Sequence, residues 1–113
     1  MNAEGREFIT PGIDKRQHRR AMLVTQIRCE SLGREELMLT RDISTGGMFA
    51  TAKNPFPSDS TVSVSFRLAA GDPPISCRGK IVYSIQGMGM GITFEDLSEE
   101  ARQALQKFVD AAE

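Results

Sequence analysis

Apolar and polar residues alternate with period two along most of the chain, and the alternation stops at a few glycine and proline clusters. Successive side chains of a strand point to opposite faces, so this pattern predicts half-buried strands. From Arg20 onward, Leu23, Thr25, Ile27 and Cys29 share one face, with Gln26, Arg28 and Glu30 on the other. Ser31-Leu32-Gly33-Arg34 predicts a turn into a second strand over 36–43. Gly46-Gly47 interrupts the pattern, and Met48-Phe49-Ala50-Thr51 predicts a short third strand. Asn54-Pro55-Phe56-Pro57 cannot continue a central strand, because its prolines lack ladder donors. Val62, Val64, Phe66 and Leu68 alternate strictly with Ser63, Ser65 and Arg67, which makes this the cleanest strand. Gly71-Asp72-Pro73-Pro74 then turns the chain into a long strand over 75–85. Gln86-Gly87 connects it tightly to a strand over 88–95, where Gly87, Gly89 and Gly91 alternate with Met88, Met90 and Ile92. That spacing predicts packed side chains, Met88 and Met90 included, on one face and a bare face that another backbone can approach.

The period then changes. Ser98 is a good N-cap, Glu99 and Glu100 suit the positive end of a helix dipole, and Ala101, Leu105, Phe108, Val109 and Ala112 form one apolar stripe. About six antiparallel strands followed by one amphipathic helix predict an all-β fold, a small six-stranded antiparallel barrel closed by a C-terminal α-helix. Residues 1–13 show no period and contain Thr10-Pro11-Gly12, which predicts a flexible N-terminal tail or arm.

Composition narrows the function. At 113 residues, 40% apolar and 26% charged, the chain fits one globular domain. No apolar run approaches the ~20 residues needed to span a bilayer. The N-terminus lacks the apolar stretch of a signal peptide, so no membrane insertion and a cytoplasmic location are expected. Cys29 and Cys77 are too few for a disulfide framework and lack metal-ligand spacing. Cys29, on the face of Leu23 and Ile27, reads as a buried structural thiol. His18 has no partner of metal-site or catalytic type nearby. Without a Cys/His or Ser/His arrangement or a phosphate-cradling loop, catalysis is not expected. The net charge of −1 hides a basic cluster, since Asp14-Lys15-Arg16-Gln17-His18-Arg19-Arg20 places four cations within six positions. One such cluster on a neutral chain suits a compact phosphate-bearing anion better than nucleic acid, whose binders spread Lys and Arg over a whole face.

Two short motifs sharpen this. Arg16-x-x-x-Arg20 lies just before the first strand, and Asp42-x-Ser44-x-x-Gly47 ends the second at a glycine turn. With ten arginines, about one pair of the first kind arises by chance; the second should arise about once in twenty such sequences. Together with Gly89-Met90-Gly91-Ile92-Thr93-Phe94 and the terminal helix, in this order, they resemble the PilZ domain, the bacterial receptor module for cyclic di-GMP. The resemblance covers the chain from about Lys15 onward, taken as one domain over 14–113 in a stand-alone member. It implies cyclic di-GMP as ligand, with no other cofactor and no metal. It also implies an unidentified protein effector through which the signal leaves, adjusting motility, biofilm formation or a related output.

The residues suit that ligand. Arginine's planar fork meets a phosphate or the O6/N7 edge of guanine in bidentate fashion. Asp42 can accept from guanine N1–H and N2–H₂, Ser44 can donate its hydroxyl, and Gly46 and Gly47 admit a sharp turn and close approach. Lys15 and Arg19 add charge; in the family Lys15's position influences ligand number, so the resemblance implies that a cation there leans toward a stacked pair of ligands, with four phosphates in total. The candidate site is thus Lys15, Arg16, Arg19, Arg20, Asp42, Ser44, Gly46 and Gly47. Taken singly, the cluster also reads as a solvated basic segment, and Asp42 and Ser44 as residues that shape a turn. PilZ proteins often place an aromatic near the guanine; here there is no Trp and only Tyr83, so stacking can fall to an arginine. The alternatives are a nucleotide-independent PilZ-like adaptor, against which the intact motifs argue, and a small-barrel binder of single-stranded nucleic acid. The latter needs stacking aromatics along a groove, which six Phe and one Tyr placed mostly in strands do not supply.

The basic segment 14–20 has no amphipathic period and repels itself, so little intrinsic order is expected before an anion neutralises it. Amide hydrogen exchange is the measurement. Cyclic di-GMP should raise protection in 14–20 and around 42–47 and leave 62–68 nearly unchanged. A segment equally protected with and without ligand would refute this ligand-induced ordering.

Overall fold

The computed structural model describes residues 20–112. Its strands are β1 (Ala21–Met22), β2 (Gln26–Ser31), β3 (Arg34–Ile43), β4 (Gly47–Thr51), β5 (Thr61–Phe66), β6 (Ile75–Ile85) and β7 (Gly89–Phe94), followed by helix α1 (Glu99–Ala111). Every pairing is antiparallel. The order β3-β2-β5-β6-β7-β4 returns to β3, so six strands close a barrel and the short β1 is an addition to it. Residues 1–13, read from the sequence as a flexible tail, lie outside the described residues, as do Lys15, Arg16 and Arg19.

β3 makes the closure possible. One of its edges pairs with β2 from Arg34 to Leu39 and with β1 at Asp42 and Ile43. Its other edge pairs with β4 from Leu39 to Ile43. The β2–β3 turn holds Leu32 and Gly33 at φ values of 53° and 78°. Positive φ at both central residues matches the twist of a tight hairpin, and glycine takes it without strain.

The single strand read from residue 20 onward is two. Between β1 and β2 the hydroxyl of Thr40, which is 2% exposed, enters the ladder among the backbone bonds that remain. Thr40 Oγ1 accepts the Thr25 N–H at 2.9 Å and donates to the carbonyl of Leu23. The Thr40 N–H donates to Thr25 O at 2.9 Å. A side chain from another strand therefore carries the chain across the break, while Leu23, Ile27 and Cys29 keep their shared inner face. Leu68 falls beyond the end of β5 but still packs on the core.

The core gathers Ile27, Val62, Val64, Phe66, Ile81, Met90 and Ile92, all at most 3% exposed. Each such side chain contributes about 1.5–3 kcal/mol by leaving water. Cys29 and Cys77 are free thiols on either side of Val64 in the same register. Burial pushes their pKa values up to about 12 and about 11, with the charge of Asp96 adding to the effect on Cys77. Met90 is buried as its spacing implies, but Met88 is 54% exposed because it sits in the turn before β7.

Helix α1 starts where Ser98 Oγ accepts the Ala101 N–H at 3.0 Å, with Glu99 and Glu100 in its first turn. It covers the core through Leu105, which is fully buried, and Val109, with Ala101 and Phe108 partly buried beside them. No helix among the described residues is long and apolar enough to cross a membrane.

The helix is held mainly by packing. Leu105→Ala is expected to destabilise the fold by about 2–5 kcal/mol and Ser98→Ala by about 1 kcal/mol, since the first leaves a cavity and the second removes one cap. Urea denaturation monitored by circular dichroism measures both, and the reverse ranking would overturn this assignment.

Candidate functional site

β1 is short, yet it decides where the first charge of the site lies. Ala21 pairs with Ile43 and Met22 with Asp42, so Arg20 is set beside the end of β3. Arg20 Nε donates to Asp42 Oδ1 at 2.8 Å, and its Nη2 reaches the same oxygen at 2.6 Å. On the other side, Arg41 Nε donates to Asp42 Oδ2 at 3.1 Å. One carboxylate thus serves two guanidinium groups, and a surplus of positive charge remains. The Arg20 and Asp42 side chains are 29% and 21% exposed, so water still reaches the pair.

The turn from β3 to β4 follows directly. Ser44 is 1% exposed and points inward. Its Oγ accepts the N–H groups of Gly46 at 3.1 Å and Gly47 at 3.2 Å, while the Ser44 N–H donates to Gly47 O at 2.8 Å. The Phe94 N–H donates to Gly46 O at 2.9 Å and ties the turn to β7. At Gly47 a Cβ would lie 2.1 Å from the Ile92 carbonyl oxygen, so only glycine lets the two strands approach here. Of the two sequence readings of Ser44, the turn-shaping one describes its contacts in this structure.

These residues border a cleft of about 960 Å³ lined by Arg20, Asp42, Ser44, Gly46 and Gly47, and also by Arg41, Phe49, Tyr83 and Arg102. Ligand clefts commonly span about 300–1,000 Å³. The structure therefore brings together five of the eight sequence-predicted residues; Lys15, Arg16 and Arg19 fall outside the described part. Sequence reasoning passed over Arg41, whose adjacency to Asp42 was the available signal, and Arg102, which lies outside the apolar stripe of the helix. Arg102 donates to Glu99 Oε1 at 2.8 Å and Oε2 at 2.6 Å. Those bonds hold the Glu99 carboxyl below its usual range and raise the Arg102 pKa.

The bare face of the glycine-rich strand is covered by rings as well as backbone. A Cβ at Gly89 would lie 2.3 Å from Ala50 O and 2.7 Å from the Phe49 ring, and one at Gly91 would lie 2.4 Å from the Tyr83 ring. Phe49 and Tyr83 lie 6.2 Å apart at 31°. Among the described residues no cluster of His, Cys, Asp or Glu is suited to a metal ion.

Comparison with known proteins places this geometry. The family model of the PilZ domain matches residues 14–111. No curated protein gives a significant sequence match. Among solved structures, the Bacillus subtilis inhibitor of motility MotI/DgrA superposes with a TM-score of 0.77 at 18% identity, covering 91% of this chain and 56% of that one. The PilZ domain of YcgR from Escherichia coli, solved with c-di-GMP, gives 0.70 at 12% identity over 87% of this chain and 91% of that one. PlzA of Borreliella burgdorferi, in complex with c-di-GMP, gives 0.69 at 17% identity over 87% and 42%. At these identities the likeness is one of fold, and the chain spans about half the length of the first and third.

Ser44→Ala would leave two N–H groups of a buried turn without their acceptor. It is expected to cost about 1–3 kcal/mol. A loss of that size lowers Tm by several degrees in a domain of this size, at about 4–8 °C per kcal/mol. Asp42→Asn touches only a partly solvated pair and should shift Tm far less. Thermal melting of both variants is the measurement, and equal shifts would mean that the hydroxyl does not hold the turn.

Proposed function

The chain belongs to the PilZ family, and from that premise we propose that it is a receptor for cyclic di-GMP, held in the cleft between Arg20, Asp42 and the 44–47 turn. The observation that carries the reading is the contact between the last residue of the first motif and the first residue of the second. Arg20, which ends the first motif, lies on Asp42, which begins the second, at 2.6 Å across the rim of a cleft of suitable volume.

The chemistry follows from the geometry. Asp42 presents two oxygens with about four lone-pair directions, and the two arginines leave part of that capacity for guanine N1–H and N2–H₂. The Arg20 fork can turn from the carboxylate to a phosphate or to guanine O6 and N7, exchanging one charge-assisted contact for another. Gly46 and Gly47 keep the floor of the turn free of side chains. Arg16, with Lys15 and Arg19 adding charge, would help neutralise the phosphates of the ligand. The message would then pass to a protein partner through the changed surface at this rim.

Arg16→Ala and Arg20→Ala are each expected to weaken cyclic di-GMP binding at least tenfold, since a hydrogen bond to a charged group is worth about 1.5–3 kcal/mol. Cyclic di-AMP should bind the wild-type chain more weakly still, because adenine lacks the N1–H and N2–H₂ donors. Isothermal titration calorimetry measures all four. Equal affinity for the two dinucleotides would overturn the ligand assignment, and an unchanged affinity in either variant would remove that arginine from the site.

A further inference from the structure

β3 departs from strict alternation at Arg41. Thr40 pairs with Ala50 and Asp42 with Phe49, so Arg41 is an extra residue without its own partner on β4. A bulge of this kind bends a strand and re-aims a side chain. Here it brings Arg41 and Asp42 to the same rim, where Arg41 Nε donates to Asp42 Oδ2. The guanidinium carbon lies over the Phe49 ring, 4.1 Å from its centroid. Phe49 is 3% exposed and rests beside Tyr83 above the bare Gly89 and Gly91. Arg41 itself is 59% exposed and lines the cleft.

We propose that Arg41 is a base-stacking residue of this site, receiving a guanine of the ligand on the guanidinium face turned away from Phe49. The inference rests on the cyclic di-GMP reading above and adds to it a residue outside both motifs. A guanidinium is planar and weakly hydrated, and it stacks on aromatic planes and bases alike. This one is held from two sides, by a carboxylate and by a buried ring, so a ligand finds it already oriented and little rotamer freedom is lost on binding. Its charge is only half answered, because Asp42 is shared with Arg20. A purine carried by a phosphate backbone meets both properties, the flat face and the surplus charge. Arg41 on the Phe49 ring thereby supplies a stacking plane in a chain that has no Trp.

The test uses the full chain and separates the plane from the charge. Cyclic di-GMP is titrated calorimetrically into wild type, Arg41→Lys and Arg41→Ala, each checked by thermal melting. Lysine keeps the charge and can still pair with Asp42, but it offers no plane. Stacking predicts that both variants lose about tenfold or more, in line with the measured worth of one stacked base. It also predicts a guanine circular-dichroism band, near the base absorption, that appears on binding to wild type and shrinks in both variants. Arg41→Lys at wild-type affinity would overturn the inference and leave Arg41 a charge that positions Asp42. Both variants within twofold of a binding wild type would overturn the inference alone. Absence of binding by the wild type would overturn the cyclic di-GMP reading and this inference with it. Should Arg41→Ala lose cooperative melting, Arg41→Lys and the dichroism band decide the question.

Discussion

Ser44 turns its hydroxyl inward onto the N–H groups of Gly46 and Gly47, and much of the barrel mouth takes its position from that closure. The turn returns β3 as β4 at the point where the ring of strands must join, and Gly46 O then anchors Phe94 on β7. The missing Cβ of Gly47 lets β4 lie against the Ile92 carbonyl. With the turn in place, Asp42 stands just before it on one edge of β3, and β1 delivers Arg20 along the same edge. Barrel closure and site assembly are therefore one structural event.

The charges around Asp42 are placed to be exchanged. A partly exposed ion pair contributes on the order of 1 kcal/mol or less, because water competes and long side chains lose freedom. Arg20 and Arg41 thus orient the carboxylate without locking it. In the proposed reading, a ligand with two phosphates replaces the Arg20 contact with one at least as strong, while Arg41 stays on Asp42 and Phe49. A deeply buried pair would have been harder to open, since separating it leaves an uncompensated charge.

Much of the fold is written in local pattern. The strict alternation at Val62, Val64 and Phe66, the long β6 and the capped helix after Ser98 all depend on near neighbours, and each appears where its period places it. What the pattern did not carry depends on residues distant in sequence. The break between β1 and β2 rests on the Thr40 hydroxyl, and period alone cannot show that a side chain from another strand enters the ladder. The bulge at Arg41 has the same character, since alternation predicts opposite faces for Arg41 and Asp42. Met88 followed the apolar alternation but lies in a turn, where exposure overrides period. Of the candidate site, Arg20, Asp42, Ser44 and Gly47 were legible as motif residues and Gly46 as part of the glycine turn, whereas Phe49 and Tyr83 acquire their place only through cross-strand register over Gly91.

The two faces of β7 divide the packed core from the candidate site. Met90 and Ile92 fill the interior and are at most 2% exposed, so the inner face belongs to the core. Gly89 and Gly91 leave the outer face flat enough for Phe49 and Tyr83 to settle on it. The rings carry Arg41, and Arg41 braces Asp42. The layer of candidate site residues is thus laid on the outside of the barrel core, and its arginines stand at the rim where their loss empties no cavity. Ser44 is the exception, because its buried hydroxyl shapes the turn on which both layers depend.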